Sequence, residues 1–220
     1  MNDVKTHFNS IANEYDYWKK RNDYYYQNLK SLLRSLIPAK QKVWEIGCGT
    51  GDILVSLDPE HGWGTDISEE MISRARVKHR YSHISFDPVN IYDLGHYQEF
   101  DYVVMVDVME HILEPSTFIK KLRTLVRPGA KVIVTVANPI WEPFLYLAEK
   151  LKLKMPEGPH YRLSTRQTEK LFRNAGFSVV KRDSHLLVPV KIIGSTLINN
   201  LFSRLPIIRR FNFIIYWVLE

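Results

Sequence analysis

Between residues 43 and 137 short apolar runs alternate with helix-periodic segments, and few folds accept that rhythm. Strands are expected at 42–46, 62–66, 84–86, 102–106 and 131–137. Helices are expected from Asp52, over 69–79 behind Ser68 as N-cap, and over 116–126 up to Pro128 and Gly129. Such alternation argues for a parallel sheet with helices on both faces. Right-handed crossovers bring the C-terminal ends of the strands to one edge, where these sheets open their ligand crevice. The glycine loop 47–51, Asp66, the loop 87–93 and Asp107 all follow strand ends and are expected on that edge.

The remainder of the 220 residues frames this core. Phe8, Ile11, Ala12 and Tyr15 have helical spacing, and 24–37 is a second helical stretch that stops at Pro38. A helix over 141–152, a second over 164–175 capped by Ser164, and strands at 177–182 and 211–219 complete the pattern. The length suits one α/β domain with an appendage. Its expected parts are N-terminal helices (1–40), a ligand-binding core (41–137), an insert (138–165) and a helix–strand part (166–220).

The loop itself reads VWEIGCGTGD, residues 43–52. A dinucleotide fingerprint needs its third glycine one residue later, and a P-loop needs a Lys followed by Ser or Thr. Asp52 is expected to repel a phosphate at that helix start. Glu45 instead suits a ligand that carries a cation. Asp66, about twenty residues on, can accept both hydroxyls of a ribose. A nucleoside with an ammonium or sulfonium nearby, as in S-adenosylmethionine (SAM), meets both demands.

The ordered segments EIGCGTG, GTDIS, FDYVVMVDVMEHI and LVRPGA, with AGF before the sixth strand, resemble the class I SAM-dependent methyltransferases. The resemblance implies a Rossmann-like α/β fold. Its seven-stranded, mostly parallel sheet has helices on both faces, an antiparallel last strand and N-terminal lid helices. It also implies that Gly47, Gly49 and Gly51 lie under the methionine and ribose of the cofactor. Glu45 would fix that loop, Asp66 would hold the ribose with Ile67 beside the adenine, and Ile91 would be a further cofactor contact. Asn90 stands where the family carries an acid facing the adenine amine, and its carbonyl can accept the same hydrogen bond. Asp107 would border the methionine, and Arg21 could pair with its carboxylate.

For catalysis, His111 and His160 are the candidate bases for an oxygen acceptor. The stretch from Asp107 to His111 also resembles the E-x-x-E-H metal motif of some ubiquinone-pathway and small-RNA methyltransferases. That reading implies a divalent ion, with His160 as a distal ligand. The competing reading makes Glu110 and His111 the start of a helix. Tyr15 on the lid and Trp141 in the insert are candidate acceptor contacts, with Phe144 and Tyr146 beside Trp141.

A net charge of +6 points to an acidic partner or merely to a basic surface. Lys and Arg are scattered and no RNA-binding module is present, which disfavours nucleic acid. The polar N-terminus, the single Cys48 and the lack of a membrane-spanning run lead to an expected cytoplasmic location. In the segment 189–206, Val190, Ile193, Gly194, Leu197, Ile198, Leu201, Phe202 and Leu205 form one helical stripe, with Lys191, Arg204, Arg209 and Arg210 nearby. Packing on its own domain or on a twin subunit is the favoured reading. Peripheral contact with an anionic membrane is the other. The patterns F-x-x-x-A-x-x-Y-D, N-P-x-W-E-P and the tail also resemble methyltransferase domains found beside or fused to membrane glycosyltransferases. That resemblance implies O-methylation of a small, sugar or lipid-linked acceptor. The alternatives are an RNA or protein methyltransferase and a non-catalytic SAM-binding module.

Overall fold

The computed structural model describes residues 2–95, 99–156, 158–161, 163–203 and 205–220. Its strands are β1 (Lys42–Ile46), β2 (His61–Asp66), β3 (Ile84–Pro88), β4 (Tyr102–Val106), β5 (Lys131–Ala137), β6 (Val179–His185) and β7 (Ile214–Leu219). Among the described residues they form one seven-stranded sheet in the order β3-β2-β1-β4-β5-β7-β6. β1 to β5 run parallel, and β7 is antiparallel to both β5 and β6. This is the Rossmann-like fold expected from the sequence.

Period-two alternation divides the core between the two faces of the sheet. Val43, Val104 and Ile133 face one cluster, completed by α2 (Asp23–Leu36), α3 (Asp52–Ser56) and α4 (Glu69–Lys78). Their chain neighbours Trp44, Met105 and Val132 face the other, under α5 (Pro115–Leu125) and α7 (Thr165–Asn174). Ser68 caps α4 by accepting from the Met71 N–H, as its position predicts. Ser164 caps α7 in a reciprocal capping box with Gln167.

The strand order reverses direction between β1 and β4. There the loops after the two strands diverge and leave a crevice. α1 (Asn2–Arg21) reaches the cavity in this crevice through Phe8, Tyr15 and Lys19. The insert contributes a 3-10 turn at Pro139–Trp141 and then α6 (Glu142–Lys150), shorter at both ends than the helix expected over 141–152.

The tail differs most from expectation. The stripe over 189–206 is not one helix, because Gly194 adopts a left-handed conformation (φ +83°) and interrupts it. α8 (Ser195–Phe202) and the single turn α9 (Pro206–Arg209) follow. Ser195 and Asn199 are the buried residues of α8, whereas Leu197, Leu201 and Phe202 are exposed. Of the two packings expected for the apolar stripe, on its own domain or on a twin subunit, the first is not what the fold adopts. Arg204, expected near the stripe, lies outside the described residues, as does Glu157 in the PEGP turn.

Candidate functional site

The β1–α3 loop turns tightly because three of its glycines adopt positive φ. Gly47 and Gly49 also have no room for a side chain. A Cβ on Gly47 would collide with Val108, and one on Gly49 would meet the Tyr15 ring at 3.1 Å. Asp66 at the end of β2 holds this loop. One carboxylate oxygen accepts from Gly49 N–H at 2.9 Å and the other from Ser68 N–H at 2.9 Å. Burial raises the Asp66 pKa against those bonds.

Glu45 is 1% exposed and accepts a hydrogen bond from Leu54 N–H at 2.9 Å. Burial pushes its pKa up to about 8, although Lys19 and the Leu54 amide oppose the shift. The carboxyl group lines the same cavity as the loop. A cationic ligand there would favour its ionised form.

Lys19, one turn after Tyr15 on α1, is the cation the sequence reading missed. Its Nζ lies 3.2 Å from Asp52 and 5.3 and 5.2 Å from the ring centres of Tyr15 and Tyr26. It is 8% exposed and lines the cavity. Arg21, which could have paired with the carboxylate or stayed a solvated surface residue, is exposed and stacks on Trp18 at 5.4 Å. Asp52 does not present an unopposed charge to the loop. Burial pushes its pKa up, but His79, Lys19 and Lys78 outweigh this and hold the carboxyl well below the usual range. The expected repulsion of phosphate by Asp52 is thus weakened; the glycine spacing and the missing P-loop lysine remain.

Along the edge, Ile67, Asn90 and Ile91 line the cavity beside Asp66. Asn90 Oδ1 already accepts from Tyr92 N–H at 3.2 Å, capping the 3-10 turn Ile91–Asp93, so only part of its acceptor capacity faces a ligand. Asp107, directly after β4, has a left-handed backbone (φ +52°) that is costly for a non-glycine residue. Tyr25 donates to it at 2.6 Å and Thr135 at 3.4 Å. Burial raises its pKa, and these two bonds oppose the rise.

Past Asp107 the cavity reaches His111 and His160, whose rings are 4.8 Å apart, and Phe8, which meets His111 edge-on at 5.0 Å. His111 Nδ1 lies 3.0 Å from the Pro159 carbonyl oxygen. A carbonyl can only accept, so Nδ1 carries the proton and Nε2 keeps its lone pair. Burial pushes the His111 pKa down to about 4, which leaves the ring neutral near pH 7. Among the described residues no group of three or more His, Cys, Asp or Glu is placed to hold a metal ion. Asp107 is taken up by Tyr25 and Thr135, and His111 Nδ1 by Pro159.

Glu45, Gly47, Gly49, Asp66, Ile67, Asn90, Ile91, Asp107, His111 and His160 line one cavity of about 760 Å³. Gly51, expected beside them, is not part of the lining and faces Phe86 and His79 instead. The far wall of the cavity is Trp141, Phe144, Leu153, Lys154 and Val188 to Val190. Trp141 is fixed by its indole N–H, which donates to the Phe211 carbonyl at 2.8 Å. Tyr146 is not part of the wall; it is exposed, with Lys150 over its ring at 4.6 Å. A cavity of this size holds a nucleoside-sized ligand with room beyond it for a second molecule.

Comparison with known proteins gives the same picture. A family profile described as a methyltransferase domain matches residues 17–182. The ubiquinone biosynthesis O-methyltransferase of Aromatoleum aromaticum is 30% identical over 134 residues, covering 56% of this chain and 56% of that protein. The chain thus spans little more than half the length of such curated relatives. A SAM-dependent methyltransferase of Thermotoga maritima superposes with a TM-score of 0.73 at 21% identity, over 99% of both chains. The magnesium protoporphyrin IX methyltransferase of Synechocystis PCC 6803, crystallised with SAH, superposes with a TM-score of 0.69 at 19% identity, over 98% of this chain and 97% of that one.

Proposed function

Since this chain belongs to the class I SAM-dependent methyltransferase family, we propose that it O-methylates a small, sugar or lipid-linked acceptor. The chain acts as one methyltransferase unit, with 1–40 as lid, 41–137 as donor-binding core, and 138–165 and 166–220 framing the acceptor. The observation that carries the reading is the continuity of the cavity from the glycine loop to a neutral histidine.

The donor end fits SAM on the chemistry of its walls. Gly47 and Gly49 let the backbone approach the ligand, Asp66 and Asn90 offer acceptors to a nucleoside, and Ile67 and Ile91 flank a base. Glu45 and Asp107 supply negative charge, and Lys19 supplies one cation for a carboxylate. Bound SAM provides a methyl group already activated on a sulfonium, so much of the protein's task is positioning. Tyr15 and Phe8 cover the crevice from α1 and exclude water.

At the acceptor end His111 serves as the general base. Its Nε2 lone pair takes the hydroxyl proton while Pro159 holds Nδ1–H. His160, in ring contact with His111, is a second base or an acceptor contact. O-methylation also accords with the activity of the ubiquinone biosynthesis O-methyltransferases among its relatives. The apolar wall of Trp141, Phe144, Leu153 and Val190 favours an acceptor with a hydrocarbon part over RNA or protein. Calorimetric titration with SAM tests the donor end; no binding at millimolar SAM would refute the enzyme reading.

A further inference from the structure

α8 is turned inside out for a surface helix. Its inward residues are polar: Ser195 is 1% and Asn199 8% exposed. Asn199 bonds Tyr24 Oη at 3.0 Å and both backbone groups of Val188, at 2.8 and 3.0 Å. These bonds fix the helix with Leu197 (62%) and Leu201 (56%) facing solvent, and Ile193 just before it is fully exposed. Opposite, α6 and the turn after it expose Phe144, Leu147, Leu151 and Leu153. The two segments flank one opening, because Phe144, Leu153 and Val190 are exposed and also line the acceptor cavity. So large an apolar surface around a cavity mouth is unusual for a protein that stays in water.

On the α8 side of this face the charge has one sign, whereas the α6 side is balanced. Residues 186–219 contain no Asp or Glu, but include Lys191, Arg209 and Arg210. Arg209 is paired with Asp183, whereas Lys191 and Arg210 are exposed. The α6 side adds exposed Lys150 and Lys152, against Glu142 and Glu149.

We propose that α6, residues 190–193 and α8 form a docking face for an anionic lipid bilayer, and that the acceptor cavity opens onto it. The apolar side chains enter the interfacial layer and the lysines and arginines meet anionic headgroups. A second copy of the chain fits less well. A two-fold interface would set the same cations against each other and close the cavity mouth. Docking would deliver a lipid-linked acceptor to His111 without passage through water. This rests on reading the far end of the cavity as the acceptor site.

Co-sedimentation of the full chain with phosphatidylglycerol-containing vesicles, against phosphatidylcholine alone, tests the docking. The wild-type chain should bind the anionic vesicles preferentially and weaken as salt is raised. The pairs Ile193→Glu with Leu197→Glu, and Leu147→Glu with Leu151→Glu, should each lower partitioning about tenfold or more. SAM titration of each variant should match wild type and so report an intact fold. Equal binding to both vesicle types overturns the proposal, as does undiminished binding by folded variants. Self-association that the same substitutions abolish, with no vesicle binding, assigns the face to a second copy instead. Docking without SAM binding would leave this face standing and remove the methyltransferase reading. SAM binding without docking would do the reverse.

Discussion

Lys19 Nζ lies 3.2 Å from the Asp52 carboxylate, yet this pair is not closed on itself. Lys78, at 2.8 Å, and His79, at 3.3 Å, also serve Asp52. Lys19 can therefore turn toward an anionic group in the cavity while Asp52 stays compensated. Replacing it with Met should weaken SAM binding about ten- to a hundredfold, the size of one charged hydrogen bond. Arg21→Ala should change it by no more than about twofold, as its stacking on Trp18 predicts. Calorimetry on the two variants separates the roles, and thermal unfolding controls for the fold.

The Glu45 carboxyl should make both stability and donor affinity depend on pH. Its folded pKa of about 8 lies above the ordinary glutamate value, so the native chain holds a proton that the unfolded chain releases between those two values. That stability is present at low pH and is lost as pH rises through about 8. Glu45→Gln, which cannot ionise, should show a flatter fall in Tm between about pH 5 and about pH 9. SAM affinity should rise with pH over the same upper range in the wild-type chain, with proton release, and lose that dependence in the variant. An identical pH profile for both proteins would count against a charged role for Glu45.

His111 is neutral well below pH 7, so the acidic limb of kcat/KM should fall near its pKa of about 4 rather than near that of a free imidazole. His111→Gln should reduce kcat by about a hundredfold or more while leaving SAM affinity near wild type. A variant with unchanged kcat would move the base to His160 or to the acceptor itself.

Gly49→Ala probes the cradle. The added methyl group must fit at a positive φ and 3.1 Å from Tyr15. It should cost roughly 1 kcal/mol or more of stability and displace α1 from the loop, with loss of SAM binding. Tyr15→Ala in the same chain should restore part of that binding if the clash with Tyr15 is the cause.

The sheet and the edge that gathers the glycine loop, Asp66 and Asp107 were legible because both rest on local signals. Valine-rich runs marked β4 and β5, and the glycines after β1, with Asp66 and Asp107 at strand ends, fell on one edge through topology alone. Helix phase was harder to read. Lys19 follows Tyr15 by four residues and turns inward with it, while Arg21 falls on the other side of α1. The tail misled for a similar reason. The stripe alone does not say which face is buried; Asn199 ties the polar face of α8 to Val188 and to Tyr24, the latter far away in sequence. Asp52 likewise gains its partners from α1 and α4, which no local pattern announces.

Methyl transfer from SAM to a small, sugar or lipid-linked acceptor is tested most directly by incubating the chain with tritiated-methyl SAM and cell extract, then separating lipid, glycan and RNA. Label should appear in the lipid or glycan fraction and vanish with Gly49→Ala. Label found in RNA alone would contradict it.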